Sequence, residues 1–494
     1  MKKIILGLVG VALLAAGITS CKKLDLKPYD AIDIEVGFNT VQDAKYWNAG
    51  LYTRLRSRVY NTFNIPQEVQ GDQLNASLDF GNRNGAPHRW GTFFNADDVA
   101  GIYQSYYSGL ANVNIVIKGY QNIVPTAGAQ TDSLNTYKAD AYMMRAYYYQ
   151  ELILRYAKAY NPATAATDLG VPLVTEYDVL AKPSRASVKA VYDQILADLA
   201  IAKSLNTKRA NVKGARYFTP DAVLALEART RLYMQDWAGA YAAANALITS
   251  GRYPLYTTVA GLKSYWATDA TGEDIMRINA TLTETVNTNA IYLGLNGAAA
   301  FYAPDFIPTQ TVLDTYDNTD IRKTTYFEQK LIQIQGVKYP NVWLVNKFPG
   351  NPALFTTQYT NYQNANKIFR IGEMYAIAAE AAANNGQPGD ALIALNALRL
   401  ARGTAQLIGI SGATLINEIR AERMRELNFE GFHLWDLKRW GLGFTRGTPQ
   451  VPAAINGGTG FSGLTIAAND LKFTWGIPTN DLILNPNLVP NPGW

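Results

Sequence analysis

Apolar residues recur every three or four positions through several long stretches of the chain, which is the spacing of one face of an α-helix. In the first such stretch, 43–60, they are Ala44, Trp47, Leu51, Leu55 and Val59. The same period returns over 98–160, 187–250, 366–402 and 411–441. The pattern therefore predicts a mostly α-helical fold.

Two stretches lose this period: 61–97, which gains Gly, Asn and Asp, and 252–365, which is rich in Thr, Asn, Tyr, Gly and Pro. Within the second, short runs at 330–335 and 341–345 have the composition of small strands. Long polar loops in a compact protein are more often functional than filler. We expect these stretches to form an irregular, ligand-binding part on a helical scaffold that spans about 98–250 and 366–441.

A helix–turn–helix pattern with alanine on the facing sides occurs twice in the scaffold. Glu227-Ala228 leads to Asn245-Ala246-Leu247 in one segment, and Glu380-Ala381 leads to Asn396-Ala397-Leu398 in the other. Thr219-Pro220, a cap residue followed by a first-turn proline, begins the first pair. The pattern predicts two to four copies of a divergent tetratricopeptide-like hairpin, a repeat that stacks into a scaffold.

The chain begins with a secretory leader. Lys2 and Lys3 precede an apolar run, Ile4–Ile18, that is too short for a comfortable membrane span. Small residues then precede Cys21, the one cysteine, as at a lipoprotein cleavage site. We expect residues 1–20 to be removed and Cys21 to be lipidated, which would anchor the protein to a membrane. Ordinary cleavage beside an incidental cysteine is the alternative.

Composition excludes several kinds of function. The chain has 494 residues and a formal charge of +5, which becomes +3 without the two leader lysines, and it has no dense Lys/Arg run. Nucleic-acid binding is therefore not expected. A single cysteine allows no intrachain disulfide, and two histidines, His88 and His433, cannot build a multi-histidine zinc site.

No catalytic motif stands out in the sequence. There is no G-x-S-x-G with partners, no phosphate-binding glycine loop and no HExxH. Asp97 and Asp98 are adjacent, which does not give the carboxyl separation that a glycosidase needs, and they are better interpreted as helix-capping acids. Asp317-Asn-Thr-Asp320 hints at a calcium loop but lacks the glycine and the regular oxygen spacing of an EF-hand. We expect no cofactor, with a structural calcium ion as the alternative.

The most informative stretch is Glu418–Gly441, which contains ERMREL-x-FEG-x-H-x-WDLKRWG. It predicts a charged helix, a break at Gly431 and a second helix rich in rings. Glu422 with Arg425, and Arg423 with Glu426, have the i,i+3 spacing of opposite-charge pairs. We expect a partly buried ion-pair network here rather than a catalytic site.

This stretch resembles the C-terminal signature of the SusD/RagB family of outer-membrane nutrient-binding lipoproteins. His433 stands where arginine is commoner, a departure that we interpret as structural. The resemblance extends to the block at 145–174, which ends in GVPLV, and to a tail with NPNL at 485–488. In the tail, Gly476 and Asp481 stand where other residues are commoner.

The resemblance implies a fold with four tetratricopeptide-like pairs, at about 98–160, 187–250, 366–402 and 411–441. It also implies a signal peptide (1–20), a lipidated tether (21–40) and one SusD-like domain (41–494). Such a protein is exposed at the outer-membrane surface and is not an enzyme. It binds oligosaccharides and acts as a hinged lid on a SusC-like TonB-dependent β-barrel transporter.

In this family the ligand contacts come from variable segments, so no binding residue carries over from the signature. A glycan site needs flat rings for the sugar faces, and Asp, Asn and Arg for the hydroxyls. On that basis the first irregular stretch supplies Asp72, Asn75, Arg83, His88 and Trp90. The second irregular stretch supplies Tyr292, Tyr302 and Trp343. Trp90, in a glycine-rich loop, is the strongest single candidate.

Three other functions fit parts of the same pattern. The first is a lid of the same fold that binds peptides or glycopeptides. The second is a surface glycoside hydrolase, and the third is a tetratricopeptide adaptor without a small ligand. Binding assays with glycans and peptides, together with a search for new reducing ends, would separate them.

Overall fold

The helices form where the apolar period predicts them. A computed structural model describes residues 37–494 apart from 94–98, 100 and 287–289. Its α-helices are α1 Val41–Arg56, α2 Ile65–Gln70, α3 Gly85–His88, α4 Ile102–Gly119, α5 Gly128–Tyr156, α6 Val188–Leu205, α7 Pro220–Tyr233, α8 Trp237–Thr249, α9 Val259–Ala267, α10 Gln310–Leu313, α11 Lys323–Tyr326, α12 Ile371–Asn384, α13 Pro388–Ala401, α14 Gly412–Leu427, α15 His433–Trp440 and α16 Thr479–Leu484. The described fold is therefore mostly helical, as the sequence predicts.

The strands are short and pair over long sequence distances. They are β1 Leu74–Ala76, β2 Leu169–Pro172, β3 Arg185–Ser187, β4 Asp274–Ile278, β5 Leu295–Asn296, β6 Phe301–Tyr302, β7 Phe306–Pro308, β8 Phe327–Ile334, β9 Val337–Val345, β10 Asn366–Arg370, β11 Phe444–Thr445 and β12 Thr465–Ile466. Strands β5, β6, β8 and β9 form one four-stranded sheet, in that order. The others pair as β1 with β7, β2 with β3, β4 with β10, and β11 with β12. The two strands predicted at 330–335 and 341–345 are confirmed as the hairpin β8–β9.

Side-chain caps fix the starts of several helices. Thr40 accepts a hydrogen bond from the Asp43 amide, and Asp43 bonds back to the Thr40 amide, so α1 begins with a complete capping box. The Thr219 hydroxyl accepts a hydrogen bond from the Ala222 amide, and Pro220 occupies the first turn of α7. The helix start predicted at Thr219 is confirmed.

The scaffold is a stack of neighbouring helices. Helix α5 packs against α1, α4 and α6, and α7 packs against α6 and α8. Helix α12 then packs against α8 as well as α13, and α14 packs against both α12 and α13. The range 187–250 holds three helices rather than the two of a simple pair. Helices α8 and α12 are neighbours in the stack although 121 residues separate them in sequence. The irregular part, which lies within those residues, is therefore an insertion between two adjacent scaffold helices.

The signature stretch forms the predicted helix, break and second helix. Gly431 lies between α14 and α15 with φ +90°, a conformation that favours glycine. The Glu422–Arg425 ion pair is present at 2.7 Å, as the i,i+3 spacing predicts. Arg423, however, donates to Asp436 at 2.7 Å and not to Glu426. The second predicted pair is therefore wrong, because the chain reverses at Gly431 and brings Asp436 of α15 beside Arg423.

Glu426 is instead the centre of a buried cluster of charges. It accepts hydrogen bonds from Arg322 at 3.0 Å, from Arg402 at 2.7 Å and from Arg370. Burial alone would raise the pKa of Glu426, but the three guanidinium groups outweigh that effect and hold it well below its usual range. The predicted ion-pair network thus exists, and its centre, Glu426 with Arg322, Arg370 and Arg402, is buried.

The first irregular stretch is not an exposed loop. Every residue of α2 is buried, and so are all three residues of β1. The long polar loop expected at 61–97 is, over its first half, a chain of short buried elements. Gln and Asn side chains there satisfy polar groups of distant segments, as when Gln70 donates to the Lys472 carbonyl at 3.2 Å and accepts from the Trp475 indole N–H at 2.9 Å.

Among the described residues, no helix combines the length and the hydrophobicity needed to cross a bilayer. The leader, Cys21 and the adjacent pair Asp97 and Asp98 lie outside the described residues.

Candidate functional site

The pairing of β1 with β7 brings the two sets of predicted binding residues together. The strands are antiparallel, with Leu74 opposite Pro308 and Ala76 opposite Phe306. Residues 72–90 therefore lie beside residues 291–308, although more than 200 positions separate them in sequence. All eight predicted ligand-binding residues belong to this region or to the β8–β9 hairpin that packs against β7.

A polar strap, residues 447–450, ties three of the predicted residues into one arrangement. The Gly447 amide donates to the Asp72 carbonyl at 3.0 Å, and the Asn75 side chain donates to the Gly447 carbonyl at 3.2 Å. At the other end of the strap, the Gln450 side chain accepts from the Trp343 amide at 3.0 Å and donates to its carbonyl at 2.9 Å. The strap connects the α2–β1 segment with the outer strand β9.

Asp72 is also paired with His433, the residue that departs from the family signature. The two side chains approach at 2.6 Å between His433 Nε2 and Asp72 Oδ1. Burial alone would raise the pKa of Asp72 and lower that of His433, but their mutual attraction outweighs it in both groups. The pKa of Asp72 is therefore lowered and that of His433 raised, which favours the charged pair.

Arg83 is the most exposed of the eight predicted residues. Its guanidinium forms a two-point ion pair with Asp305, one bond of which is 2.6 Å. The Arg83 side chain is 59% exposed, whereas that of Asp305 is 7% exposed. Nearby, the amide of Gln335 in the β8–β9 turn donates to Asp79 at 2.8 Å. A buried carboxylate thus fixes an exposed guanidinium, which is a geometry suited to hydrogen-bonding a polar ligand.

Two rings flank one position of the four-stranded sheet. Tyr302 lies opposite Ile332, and Ile332 lies opposite Tyr339, so both rings share a face of the sheet. Both rings are half-buried, and the Lys330 ammonium stands 5.2 Å from the centre of the Tyr302 ring. Tyr339 is a ring of this region that the sequence interpretation missed. Its position is recognisable only through the strand register.

Tyr359 is a second ring that sequence reasoning missed. It is 38% exposed, and it lies so close to Gly297 that a Cβ there would meet the ring at 2.3 Å. Gly297 therefore allows the ring to approach the backbone closely beside β5. A tyrosine in a loop without any period gives no signal of such an arrangement, although the glycine-rich composition of 294–297 is compatible with it.

Four of the eight predicted residues lie beneath this surface. His88 is fully buried between the Val69 carbonyl, 2.9 Å from Nδ1, and the Arg446 guanidinium, 3.0 Å from Nε2. Trp90 is 5% exposed and donates its indole N–H to the Gln70 carbonyl at 2.7 Å. Asn75 and Tyr292 are also buried. These residues support the surface from below, which corrects the expectation that their rings and amides face a ligand.

One of the two carboxylates suggested for a calcium ion has another partner. Asp320 is buried and bound by the Arg322 guanidinium at 2.7 Å. Within the described part of the chain, no group of three or more His, Cys, Asp or Glu side chains is placed to hold a metal ion. A calcium ion at 317–320 stays a prediction, and the pairing of Asp320 does not favour it.

Comparisons with known proteins agree on one family. A model of the SusD family matches residues 255–494, and a model described as starch-binding and associating with the outer membrane matches residues 22–232. The chain is 24% identical to the SusD-like protein P38 of Formosa agariphila, over 96% of each chain.

Solved structures give the same result. A SusD superfamily protein of Bacteroides thetaiotaomicron is 25% identical, with a TM-score of 0.78 over 92% of this chain and 100% of its own. A SusD-like carbohydrate binding protein of Bacteroides vulgatus is 20% identical, with a TM-score of 0.73 over 91% of this chain and 98% of its own. The signature, the helical stack and these matches together establish that the chain belongs to the SusD/RagB family.

Proposed function

We propose that this protein binds oligosaccharides at the bacterial surface and delivers them, as a lid, to a SusC-like TonB-dependent transporter in the outer membrane. Membership of the SusD/RagB family supports the general role in carbohydrate capture. The observation that carries the proposal is the surface around β1, β7 and β9. There the Arg83 guanidinium is exposed, the Asp72 carboxylate is 28% exposed, and the Tyr302 and Trp343 rings are partly buried on strands of the neighbouring sheet.

The chemistry of this surface suits sugar recognition. Arginine and carboxylate groups hydrogen-bond neighbouring hydroxyls, and flat rings cover the C–H faces of a pyranose. Arg83, Asp72, Tyr302 and Trp343 are the four predicted residues that reach this surface at least in part. We propose these four as ligand contacts, together with Tyr339 and Tyr359.

We further propose that the protein holds its ligand without breaking a bond. Three carboxylates of this region already have a fixed partner: Asp72 is paired with His433, Asp305 with Arg83, and Asp79 with the Gln335 amide. A glycosidase needs one carboxyl group free to give up a proton and a second one across the sugar ring. Fixed, paired carboxylates are better suited to binding hydroxyl groups.

Calorimetric titration with neutral oligosaccharides of several linkages, and with peptides, tests the binding role. Arg83→Ala and Tyr302→Ala should each weaken glycan binding by about tenfold, because each removes a charge-assisted hydrogen bond or a stacking ring. Tyr46→Ala is the matched control, since that ring is 66% exposed on α1, away from this surface. Tight peptide binding with no glycan signal would favour the peptide-binding alternative, and new reducing ends would favour a hydrolase.

The membrane anchor and the transporter require a separate experiment. We expect the native protein to fractionate with the outer membrane and to co-purify with a β-barrel transporter. Cys21→Ala should release it in soluble form, because the lipid chains would be the stable attachment. A tetratricopeptide adaptor without a ligand would still co-purify, but it would show no glycan affinity for Arg83→Ala to reduce.

A further inference from the structure

A second pocket, away from the β1–β7 surface, lies where the end of α5 meets α15 and the C-terminal tail. Its volume is about 420 Å³, within the range of roughly 300–1,000 Å³ that small-molecule sites occupy. The side chains that line it and matter here are Lys438, Asn469, Thr474, Leu169, Leu471 and Pro492. The lining also holds Lys158, which pairs with Asp168 at 3.0 Å, and Asp470, whose carboxylate accepts a hydrogen bond from the Lys472 amide at 2.8 Å. Lys438 is therefore the lining cation that has no carboxylate partner, beside neutral polar groups and an apolar wall.

Lys438 is the unusual member of this lining. Its ammonium donates to the carbonyl of Leu154, in the last turn of α5, at 2.9 Å, and to that of Ala157, the residue after the helix. These two bonds cap a helix end, but a backbone carbonyl carries no full negative charge. Burial lowers the pKa of Lys438 to about 7, and no neighbouring carboxylate counteracts that effect.

Two other desolvated lysines of the described chain are arranged differently. Lys347 pairs with Glu430 at 2.6 Å, and Lys367 pairs with Asp269 at 3.3 Å. Lys158, at the edge of the same pocket, pairs with Asp168 at 3.0 Å. Within the described residues Lys438 therefore differs from these three in having hydrogen bonds but no anion. A buried cation without an anion is costly, and an anionic ligand would offset that cost.

We propose that this pocket binds the carboxylate-bearing residue of an acidic saccharide, with the carboxylate hydrogen-bonded to Lys438. That the ligand is a saccharide rests on the proposed function, whereas the requirement for a negative charge rests on the pocket itself. Two N–H groups of the Lys438 ammonium bind carbonyls, and the third can donate to one singly charged anionic group. Leu169 and Leu471, which are 42% and 54% exposed, would pack on the C–H face of the sugar.

The test compares a galacturonic acid disaccharide with the neutral galactose disaccharide of the same linkage, by calorimetry on the purified protein at pH 6. The acidic sugar should bind about tenfold more tightly, because its carboxylate forms a charge-assisted hydrogen bond. The preference should weaken towards pH 8.5, since the ammonium loses its proton while the carboxylate stays ionised throughout. Equal affinities at pH 6 would overturn the proposal.

Substitutions in the pocket test whether the preference for the acidic disaccharide depends on Lys438. Lys438→Met keeps an unbranched apolar side chain but removes the ammonium, which lies 5.5 Å from the centre of the Trp435 ring. It should abolish the preference, whereas Lys158→Met should retain it. Leu471→Trp narrows the pocket without touching Lys438 and should weaken binding of the acidic disaccharide, so the test does not depend on the folding of Lys438→Met. If both pocket variants fold and bind the acidic sugar normally, Lys438 only caps α5 and the proposal is wrong.

The two sites fail independently. Arg83→Ala should lower affinity for neutral oligosaccharides but leave the preference for the acidic disaccharide intact, because the pocket and the β1–β7 surface share no lining residue. If the unmutated protein binds no neutral oligosaccharide and yet prefers the acidic disaccharide, the proposed function of the first surface alone is refuted. The reverse result would refute the pocket alone.

Discussion

The residue with the clearest change of role is Trp90. In the sequence it is a ring in a glycine-rich loop, which is the pattern of an exposed stacking platform. In the structure the centre of its ring lies 4.9 Å from that of Phe473 and 5.7 Å from that of Phe444, both in edge-to-face packing. Those partners come from residues some 350 positions later in the chain. No local pattern around Trp90 could therefore distinguish a platform from a core ring.

We predict that Trp90→Phe lowers the stability of the protein but not its ligand affinity. The substitution removes the indole N–H that satisfies the buried Gln70 carbonyl and leaves a small void, a combined cost of about 1–3 kcal/mol. Urea unfolding measures the first effect, and glycan titration well below the transition measures the second. A large loss of ligand affinity with unchanged stability would contradict this prediction and indicate that Trp90 contacts the ligand.

A second prediction concerns pH and the buried carboxyl group of Glu68. It accepts a hydrogen bond from the Gly431 amide, and its other oxygen has no partner among the described residues. Burial raises the pKa of Glu68 from about 4.5 to about 7. The folded protein therefore keeps a proton there that the unfolded chain loses near pH 4.5. The free energy of unfolding must fall as pH rises from about 4.5 to 7.

His433 changes stability in the same direction, because its raised pKa makes the folded state hold a proton longer than the unfolded chain. Glu68→Gln removes the first contribution, although a neutral amide keeps the bond to Gly431. It also weakens the second, because the Glu68 carboxylate helps to raise the pKa of His433. The difference in free energy of unfolding between this variant and the native protein should therefore grow in favour of the variant as pH rises, by at most about 3 kcal/mol above pH 7. Urea titrations at pH 5, 6, 7 and 8 measure this, and parallel curves would contradict it.

At the scale of elements, the helices were predictable and the strand pairings were not. Helix α6 is capped by Ser187, and its apolar residues recur at helical spacing, so the local sequence predicts it. Strand β1 has only three residues, all buried, and no alternation of polar and apolar positions. Its partner β7 lies 230 positions away, and nothing in the sequence relates the two. The candidate surface depends on that pairing, which is why the sequence indicated the right segments but not the exposed side chains.

Close packing of the scaffold helices makes Gly109 of α4 sensitive to one added methyl group. A Cβ there would stand 2.7 Å from the Tyr148 ring of α5. Gly109→Ala should therefore destabilise the protein by about 1–3 kcal/mol, despite the better helix propensity of alanine. Gly389→Ala on α13 is the matched control, because no atom lies within 4 Å of its added Cβ. The control should be neutral or more stable by up to about 1 kcal/mol, and thermal unfolding of both variants checks the contrast.

At the scale of the whole molecule, the signature stretch is the junction between two hydrophobic cores. Phe429 belongs to the core of the irregular part, with Tyr292, Phe306 and Phe327. Six residues later, Trp435 belongs to the core of the helical scaffold. The charges between them reach both sides, because Arg322 lies in the irregular part and Arg402 ends the scaffold helix α13. The family signature is therefore a structural joint, and the ligand surface is built beyond it.

This arrangement predicts how the molecule unfolds. Glu426→Gln would leave Arg322, Arg370 and Arg402 facing one neutral side chain, at a cost of about 3–5 kcal/mol. The irregular part, with its smaller core, should then open before the scaffold does, whereas the native protein should unfold in one step. Hydrogen exchange in the β8–β9 hairpin, compared with that in α7 and α8, follows the two parts separately.

Glu418→Gln, on the same helix and outside the buried cluster, should retain the single transition. If both parts of Glu426→Gln lose protection together, the joint lies elsewhere, and the two cores are held to each other by apolar contacts.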